Sequence, residues 1–319
     1  MKAFLAIPAL LVAWTACAFD SDGWEARRRA ASDEAARLKG EYAKCVAALQ
    51  TPGENMTIPF ENHPDGSIRA QVAAEKVQIF LDTGYVWAEG VTLSEFATNG
   101  VESATVTAQR CVVDRNRKCG WAVGRAKADY RLTELEGDGV YFSLADEYVM
   151  IESNATIRSR DVRLGALPGG AKRAADPRAA AVATVRARRA DYDRRAGVVM
   201  FDGGVEVDDG TYRMSADAAY VFLDGTNALK RIVALGGVKV ADGTREGTCA
   251  TATYSKAASK VVMYGDGTNV VARLVDNGAR RSEVEGRRIT FRVDEEQVEV
   301  EDSCMLFETG EADRERILK

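Results

Sequence analysis

The stretch Val198-Val199-Met200-Phe201-Asp202-Gly203-Gly204-Val205-Glu206-Val207 decides the fold, because both of its halves return later in the chain. Its first half recurs 63 residues on as Val261-Val262-Met263-Tyr264. Its second half recurs 33 residues on as Gly236-Gly237-Val238-Lys239-Val240. A period of about 20 to 50 residues is typical of stacked units that cannot bury an apolar face alone. Each unit is predicted to be a pair of short strands joined by Gly/Asp turns.

Length and charge narrow the class of protein. The chain has 319 residues, which favours two domains, and 46% of them are hydrophobic, which permits a sizeable core. The net charge is −5, with acidic and basic residues interspersed. A nucleic-acid partner is therefore not expected, because phosphate binding needs a concentrated basic face.

Residues 1–18 are predicted to be a signal peptide. Lys2 provides the positive start, Phe4–Trp14 is an apolar run too short to span a bilayer, and Ala16-Cys17-Ala18 is typical of a cleavage site. The chain is therefore expected to be exported. Acylation at Cys17 and retention of the segment as a membrane anchor are the alternatives.

The cysteines beyond the predicted signal peptide favour disulfides over metal binding. Cys111 and Cys119 flank a predicted hairpin turn at residues 114–117, and we predict that they form a disulfide in an oxidising compartment. The alternative is that each cysteine is a small buried hydrophobe. No C-x-x-C pair is present and His63 is the only histidine, so no metal site is expected. The pairing of Cys45, Cys249 and Cys304 stays open.

Residues 19–50 are predicted to form a helix. Apolar residues recur in it at alternating spacings of four and three, a short heptad stripe made of Ala31, Ala35, Leu38, Tyr42, Cys45 and Leu49. The stripe indicates either packing on the end of the sheet domain or a coiled coil that docks a partner.

The rest of the chain is predicted to be all-β, in two modules of related architecture. Residues 51–164 form the first module, 165–182 a linker rich in Pro, Gly, Ala and Arg, 183–310 the second module and 311–319 a tail. A Gly-Val step opens strands in both modules, at Gly90, Gly139, Gly204 and Gly237.

Period-two alternation predicts which side chains share the inward face of each module. In the first module they are Val77, Ile79, Val91, Leu93, Val140 and Phe142. In the second they are Val199, Phe201, Val205, Val207, Tyr212, Met214, Ile289, Phe291 and Val293. The alternative is that these residues only fill a closed core.

No motif indicates catalysis. His63 lies in a predicted turn, and the sequence has no G-x-S-x-G, Walker loop or H-E-x-x-H motif. Asn55-Met56-Thr57 and Asn154-Ala155-Thr156 match the glycosylation sequon, which often occurs by chance. We therefore expect no enzyme activity and no cofactor.

The C-terminal half resembles the OstA-like family of periplasmic lipopolysaccharide-transport proteins typified by LptA. The resemblance spans about residues 183–302. The residues that carry it are Ala190-Asp191-Tyr192, Gly204-Val205, Tyr212-Arg213-Met214, Ala216-Asp217, Gly236-Gly237-Val238 and Ala252-Thr253-Tyr254.

Residues 57–160 are similar to the related LptC family. The similarity is carried by Gly66-Ser67-Ile68, Glu89-Gly90-Val91 and Gly137-Asp138-Gly139-Val140. LptC proteins normally keep an N-terminal membrane helix, whereas here a short apolar run precedes a heptad helix.

Together the two resemblances imply tandem open, twisted β-jellyrolls that hold lipid acyl chains between their walls. They also imply a non-enzymatic bridge from the inner to the outer membrane. Its partners would be lipopolysaccharide through lipid A, other β-jellyroll modules bound by edge-strand pairing, and transport components of both membranes. A structural cell-envelope β-protein that binds only other proteins is the main alternative, and a carbohydrate-active β-solenoid enzyme is a third.

Overall fold

The computed structural model describes residues 20–130, 133–159, 182–208, 210, 212–224, 229–268, 270–278, 281–292, 297–302 and 304–307. The predicted signal peptide, almost all of the predicted linker and the predicted tail lie outside these ranges. The described chain is one helix followed by antiparallel strands, so the all-β prediction is confirmed.

The helix and the strands are numbered in chain order. The first module comprises α1 (Ser21–Ala47), β1 (Gly53–Asn62), β2 (Ile68–Phe80), β3 (Tyr85–Phe96), β4 (Glu102–Asp114), β5 (Cys119–Tyr130), β6 (Thr133–Ser143) and β7 (Tyr148–Ser159). The second module comprises β8 (Ala183–Ala187), β9 (Arg189–Asp193), β10 (Val198–Asp208), β11 (Tyr212–Leu223), β12 (Leu229–Asp242), β13 (Arg245–Ser255), β14 (Lys260–Tyr264), β15 (Ala272–Asp276), β16 (Ser282–Gly286), β17 (Arg288–Arg292), β18 (Gln297–Glu301) and β19 (Cys304–Phe307).

Neighbouring strands pair in chain order, and the two modules share one continuous sheet. The long strands β1 to β7 follow one another as hairpins, and β10 to β13 do the same. At the junction β7 pairs with both β8 and β9, which in turn pair with β10. The predicted module boundaries stay a prediction, because hydrogen bonding runs across them.

Each long strand bends near its middle, and the bends line up into a crease. The register shifts between Asp202 and Val205 in β10 and between Leu235 and Val238 in β12, as at a β-bulge. Both bends contain left-handed glycines, with φ of 84° at Gly203 and 75° at Gly236. Only glycine adopts this conformation without steric cost, which explains the Gly-Val steps in the sequence.

The crease folds the sheet into two walls that face each other. The wall that contains Val77 is called the helix wall, because α1 packs on it. The wall that contains Ile58, on the other side of the crease, is called the far wall. Side chains of both walls belong to one continuous apolar cluster. This folded sheet is the twisted jellyroll that the resemblance implied.

Helix α1 lies across the outer face of the helix wall. The side chain of Asp20 caps its first turn by accepting a hydrogen bond from the backbone of Gly23 at 2.9 Å. The predicted stripe faces the sheet: Ala31, Ala35, Leu38 and Cys45 are buried against the strands. The expectation that the helix packs on the end of the sheet is thus corrected to packing on its face. No helix of the described chain is both long and apolar enough to cross a membrane.

We expect alanine substitutions at two glycines of the crease to lower the free energy of unfolding by different amounts. A Cβ at Gly236 would lie 2.2 Å from Oδ2 and 2.9 Å from Cβ of Asp217, whereas a Cβ at Gly204, with φ of 83°, meets no atom within 4 Å. We expect Gly204→Ala to lower the free energy of unfolding by about 1 kcal/mol, from left-handed strain alone. Gly236→Ala should cost about 2 kcal/mol or more, because Asp217 must also move. Urea titration measures both, and equal costs would mean that Asp217 yields freely.

Candidate functional site

The inner face of the far wall is an unbroken apolar row. Residues paired across successive strands from β1 to β16 follow one another along it. The row reads Ile58, Val72, Leu93, Val106, Ala128, Leu135, Ile157, Val185, Val207, Met214, Val240, Gly247, Leu274 and Val284. No member carries a charge, and the row crosses from the first module into the second without interruption.

The inner face of the helix wall carries two such rows. The row next to the crease reads Val77, Ala88, Cys111, Ala122, Val140, Ile151, Ala190, Phe201, Ala219, Ala234, Ala252, Met263, Ile289 and Val300. The second row lies nearer the strand ends and includes Ile79, Phe142, Val149, Val199, Val221, Val261 and Phe291.

The structure brings the predicted inward residues together. Buried members of the apolar cluster are Val77, Val91, Leu93, Val140, Phe201, Val205, Val207, Met214, Ile289 and Phe291. Half-buried side chains that pack against it are Ile79, Phe142, Val199 and Tyr212. Val293 lies outside the described residues. These side chains thus share one apolar interior, while lipid binding by them stays a prediction.

Burial decreases from the crease toward the strand ends in β10 and β14, although Val86, Val113 and Phe291 of the second row are also buried. In the helix wall Phe201 and Met263 beside the crease are buried, whereas Val199 and Val261, two residues nearer the strand ends, are half-buried. Small residues predominate at the crease, where the walls converge. Larger side chains such as Phe142 lie farther out. The interior is therefore wedge-shaped, with its half-exposed apolar side along the strand ends.

The outer face of the far wall is polar. Its central row reads Thr57, Ala73, Thr92, Thr107, Lys127, Glu136, Thr156, Arg186, Glu206, Ser215, Lys239, Thr248, Arg273 and Glu285. Charges of both signs are interspersed in it, and some are paired, as in Arg125–Glu136 at 2.7 Å. A cleft of about 390 Å³ in the second module is bordered by exposed charged residues of this face, among them Arg186, Arg213 and Lys239. It has no concentrated charge of one sign.

The outer face of the helix wall is apolar and aromatic, which the sequence reasoning missed. Beneath α1 lie Trp87, Val112, Trp121, Tyr141, Tyr148 and Met150, all buried. A signal was present: Val86-Trp87-Ala88 and Val149-Met150-Ile151 are apolar at consecutive positions. Such runs indicate a strand that is covered on both faces. They identify where the helix packs.

The predicted Cys111–Cys119 disulfide is not formed. The turn at residues 115–118 is present, but the register pairs Cys111 with Ala122 and Cys119 with Asp114. Cys111 faces the interior cluster and Cys119 faces the cluster beneath α1, so the two thiols lie on opposite faces of the sheet. Both are free, as are Cys45 and Cys249. The spacing of the two cysteines in the sequence indicated the hairpin, but it did not determine to which face of the sheet each thiol points.

Three potential metal ligands converge under α1, but cations already neutralise them. Glu34, Asp114 and Cys119 offer ligand atoms within 4.8 Å of one another. Arg37 donates to Glu34 at 2.6 Å and to Asp114 at 2.9 Å, and Arg117 pairs with Glu34 at 3.1 Å. Hydrogen bonding from Arg37 lowers the pKa of Glu34. The cluster holds the helix on the sheet.

Comparison with known proteins agrees with this geometry in the second module. Residues 184–297 match the family model described as LptA/(LptD N-terminal domain) LPS transport protein. The second module is LptA-like. The resemblance of the C-terminal half to the OstA-like family is thereby confirmed over these residues, whereas the LptC-like character of the first module stays a prediction.

One similar solved structure is LptH, described as the LptA homologous periplasmic component of the conserved lipopolysaccharide transport device from Pseudomonas aeruginosa. It is 16% identical to this chain, with a TM-score of 0.35, and the match covers 40% of this chain and 95% of LptH. No curated protein matches the chain.

Because the thiols are buried, we expect the folded protein to resist modification by thiol reagents. Burial raises the pKa of Cys111, Cys119 and Cys249 from 9.0 to about 12. At pH 8 we expect a thiol reagent to leave these three and Cys45 unmodified until the protein unfolds. Because the folded-state pKa is the higher one, their contribution to stability is complete below pH 9 and is lost as the pH rises toward about 12.

Peptide mapping of exported, non-reduced protein provides the control for the same prediction. Free thiols at Cys111 and Cys119 are the expected result. A peptide pair linked between them would mean that the β4–β5 register differs from the one described.

Proposed function

We propose that this chain is a non-enzymatic lipopolysaccharide-transport protein that shields acyl chains between the two walls of its folded sheet. The observation that carries the proposal is the apolar interior, which continues through both modules and is half-exposed along one side. The match of the second module to LPS transport proteins supports the same conclusion. The proposed location is the periplasm, where the predicted signal peptide would direct the chain.

The energetics of lipid transfer explain why a continuous interior matters. Each methylene exposed to water costs about 0.8 kcal/mol, so an acyl chain of roughly a dozen carbons costs about 10 kcal/mol. Strands lie about 4.8 Å apart, so the inner row from β1 to β16 extends on the order of 60 Å. A chain that moves along this row stays in apolar surroundings at every step. Dispersion contacts with valine and leucine are similar at each position, which favours sliding over tight binding.

A structural protein with a sealed core is the second candidate, and one observation favours it. Ile289 and Met263 beside the crease are 0% exposed, and Phe291 in the row nearer the strand ends is only 1% exposed. A bound acyl chain would therefore occupy the outer part of the wedge, near Val199 and Val261, unless the walls separate. The two candidates differ in whether lipid contacts this outer part.

Photo-crosslinking separates the two candidates. A photoreactive residue at Val199 or Val261, both half-buried at the strand ends, should capture lipopolysaccharide in intact cells. The matched control is Arg213, which belongs to the same module but lies exposed on the outer face of the far wall. At least about tenfold stronger labelling at the two inner positions is expected. Equal labelling at all three positions, or labelling at none, would favour the structural protein.

We also propose that the second module docks other β-modules through β18, the last strand of its helix wall. Among the described residues β18 pairs with β17 alone on the helix wall, so its other edge has unpaired backbone groups. Val298 is 43% exposed, and the strand contains no proline. At the opposite end β1 contains Pro59 followed by two register shifts, which make its edge irregular. The C-terminal edge is therefore the better template for β-augmentation.

Two adjacent proline substitutions test this docking edge. In an antiparallel ladder the backbone N–H groups of consecutive residues point alternately to the paired strand and to the open edge. One of Val298→Pro and Glu299→Pro therefore removes an open-edge donor and leaves the β17–β18 bonds intact, while the other disrupts that pairing.

We expect one of the two variants to keep the wild-type unfolding midpoint but lose oligomers and partner complexes in size-exclusion chromatography and chemical crosslinking. If both variants assemble like the wild type, docking does not use β18.

A further inference from the structure

We infer that α1 is a clasp that spans the junction between the two modules and fixes the alignment of one with the other. The inference comes from where the helix is anchored, and it does not depend on what the interior binds.

The two ends of α1 are anchored on different modules. Near its start, Trp24 is fully buried against Val198 and Met200 of β10, and its ring meets Tyr220 of β11 edge-on at 5.8 Å. Farther along, the stripe from Ala31 to Cys45 packs on β3, β4, β5 and β7 of the first module. One rigid element of 27 residues thus contacts both modules on the same wall.

A buried charge network lies under the helix at the junction. Asp191 of β9 has no exposed side-chain surface and accepts hydrogen bonds from three elements. Arg28 of α1 donates to it at 3.2 Å, Tyr148 of β7 at 3.0 Å and Arg189 of β9 at 2.7 Å. Arg28 also pairs with Asp202 of β10 at 3.0 Å. The helix, the last strand of the first module and the first strands of the second therefore meet at one carboxylate.

The network ties the helix to one alignment of the modules. Breaking a buried ion pair by removing one partner is strongly destabilising, because the remaining charge stays in a poorly solvated site. Although burial opposes its charge, Asp191 and Asp202 raise the pKa of Arg28 above its ordinary value. The hydrogen bonds to Asp191 are satisfied only when α1, β7 and β9 keep their mutual positions. A shifted or rotated junction would leave that carboxylate with Arg189 of its own strand, without the hydrogen bonds from Arg28 and Tyr148.

The far end of the helix is fastened to the first module alone. Arg37 donates to Asp114 at 2.9 Å and to the hydroxyl of Tyr85. Lys39 pairs with Glu152 and lies over the ring of Trp121, 4.4 Å from its centroid. Because this end is held independently, losing the contacts at the start of α1 should release the second module and leave the helix on the first.

The sheet continues across the junction, but β7 divides its pairing there between two short strands. β7 pairs with β8 through residues 155–159 and with β9 through residues 148–151, and the register leaves out residues 152–154. Opposite this gap, the strand is interrupted by a single residue, Arg188, between β8 and β9. Because two short strands replace one long strand here, the junction is where the two modules would flex, and α1 crosses it on the outer face of the helix wall.

Hydrogen–deuterium exchange on the full chain tests the clasp, with Arg28→Ala as the variant and Arg29→Ala as the matched control. Arg29 is exposed, and its guanidinium contacts only the carbonyl oxygen of Glu25 in the same helix. We expect Arg28→Ala to speed exchange at least about tenfold in the β7–β9 ladder. Exchange in β3–β4 and in β12–β13 should change less than about twofold. Arg29→Ala should match the wild type throughout.

Two results would overturn the inference. One is equal acceleration in both modules, which would mean that the helix only adds to global stability. The other is unchanged exchange at the junction in Arg28→Ala. If that variant does not accumulate as folded protein, Arg27→Ala replaces it, because Arg27 pairs with Asp193 of β9 at 2.6 Å and is half-exposed. The same location of the effect, at smaller amplitude, is then expected, and unchanged junction exchange in Arg27→Ala would overturn the inference too.

Discussion

The bend in every long strand is the constraint on which the rest of the structure depends. A sheet of this length would otherwise be an open ribbon with two exposed faces. Because the strands all bend at the same level, one face of the sheet points inward on both walls. A single alternation of apolar and polar residues therefore provides the apolar inner face of both walls. Glycines at positive φ form the bends of β3, β5, β6, β10 and β12, as at Gly90 and Gly139, and Asn55, Asn154 and Asp302 adopt the same left-handed conformation at other bends. Asparagine and aspartate tolerate that region best among the other residues.

The wedge shape follows from the bend. Walls that meet at a crease leave little room beside it, which is why alanines and small valines line the inner rows there. On the outer side of the crease there is no room for a Cβ at several glycines, since Glu75 and Asp217 lie against Gly90 and Gly236.

The two glycosylation sequons also follow from the bends. Asn55 and Asn154 are left-handed at the crease, and Thr57 and Thr156 occupy the polar row two residues later. A backbone requirement thus explains a motif that otherwise resembles a modification site.

The alternation of apolar residues in the sequence predicted this fold well, because the inner faces of the sheet are periodic and many of its bends contain glycine. The alternation of Val205 and Val207, or of Val140 and Phe142, is read directly from the sequence. The pattern could not fix the register of a hairpin, which decides the side chains that share a face. Cys111 and Cys119 belong to adjacent strands of one hairpin, yet their positions relative to the register put them on opposite faces. The helix was recognised by its stripe, but the surface that receives it was not. That surface is formed by outward residues from strands far apart in sequence, such as Trp87 and Met150.

The two walls differ in what covers them, and the difference bears on how lipid would enter. From β3 to β11 the helix wall is covered by α1, with apolar packing and buried ion pairs between them, so this part of the wall is held from both faces. The far wall has solvent on its outer face and only polar, partly paired side chains there. A packed interior opens where the fewest contacts must break, because local openings are drawn from the regions with the least buried surface. If acyl chains enter as proposed, the far wall is therefore the one that moves, by opening about the glycine crease. The helix wall then keeps both modules in line while the interior widens. The helix wall would thus stay rigid along the length of the interior, while the far wall of the same sheet would move to let lipid in.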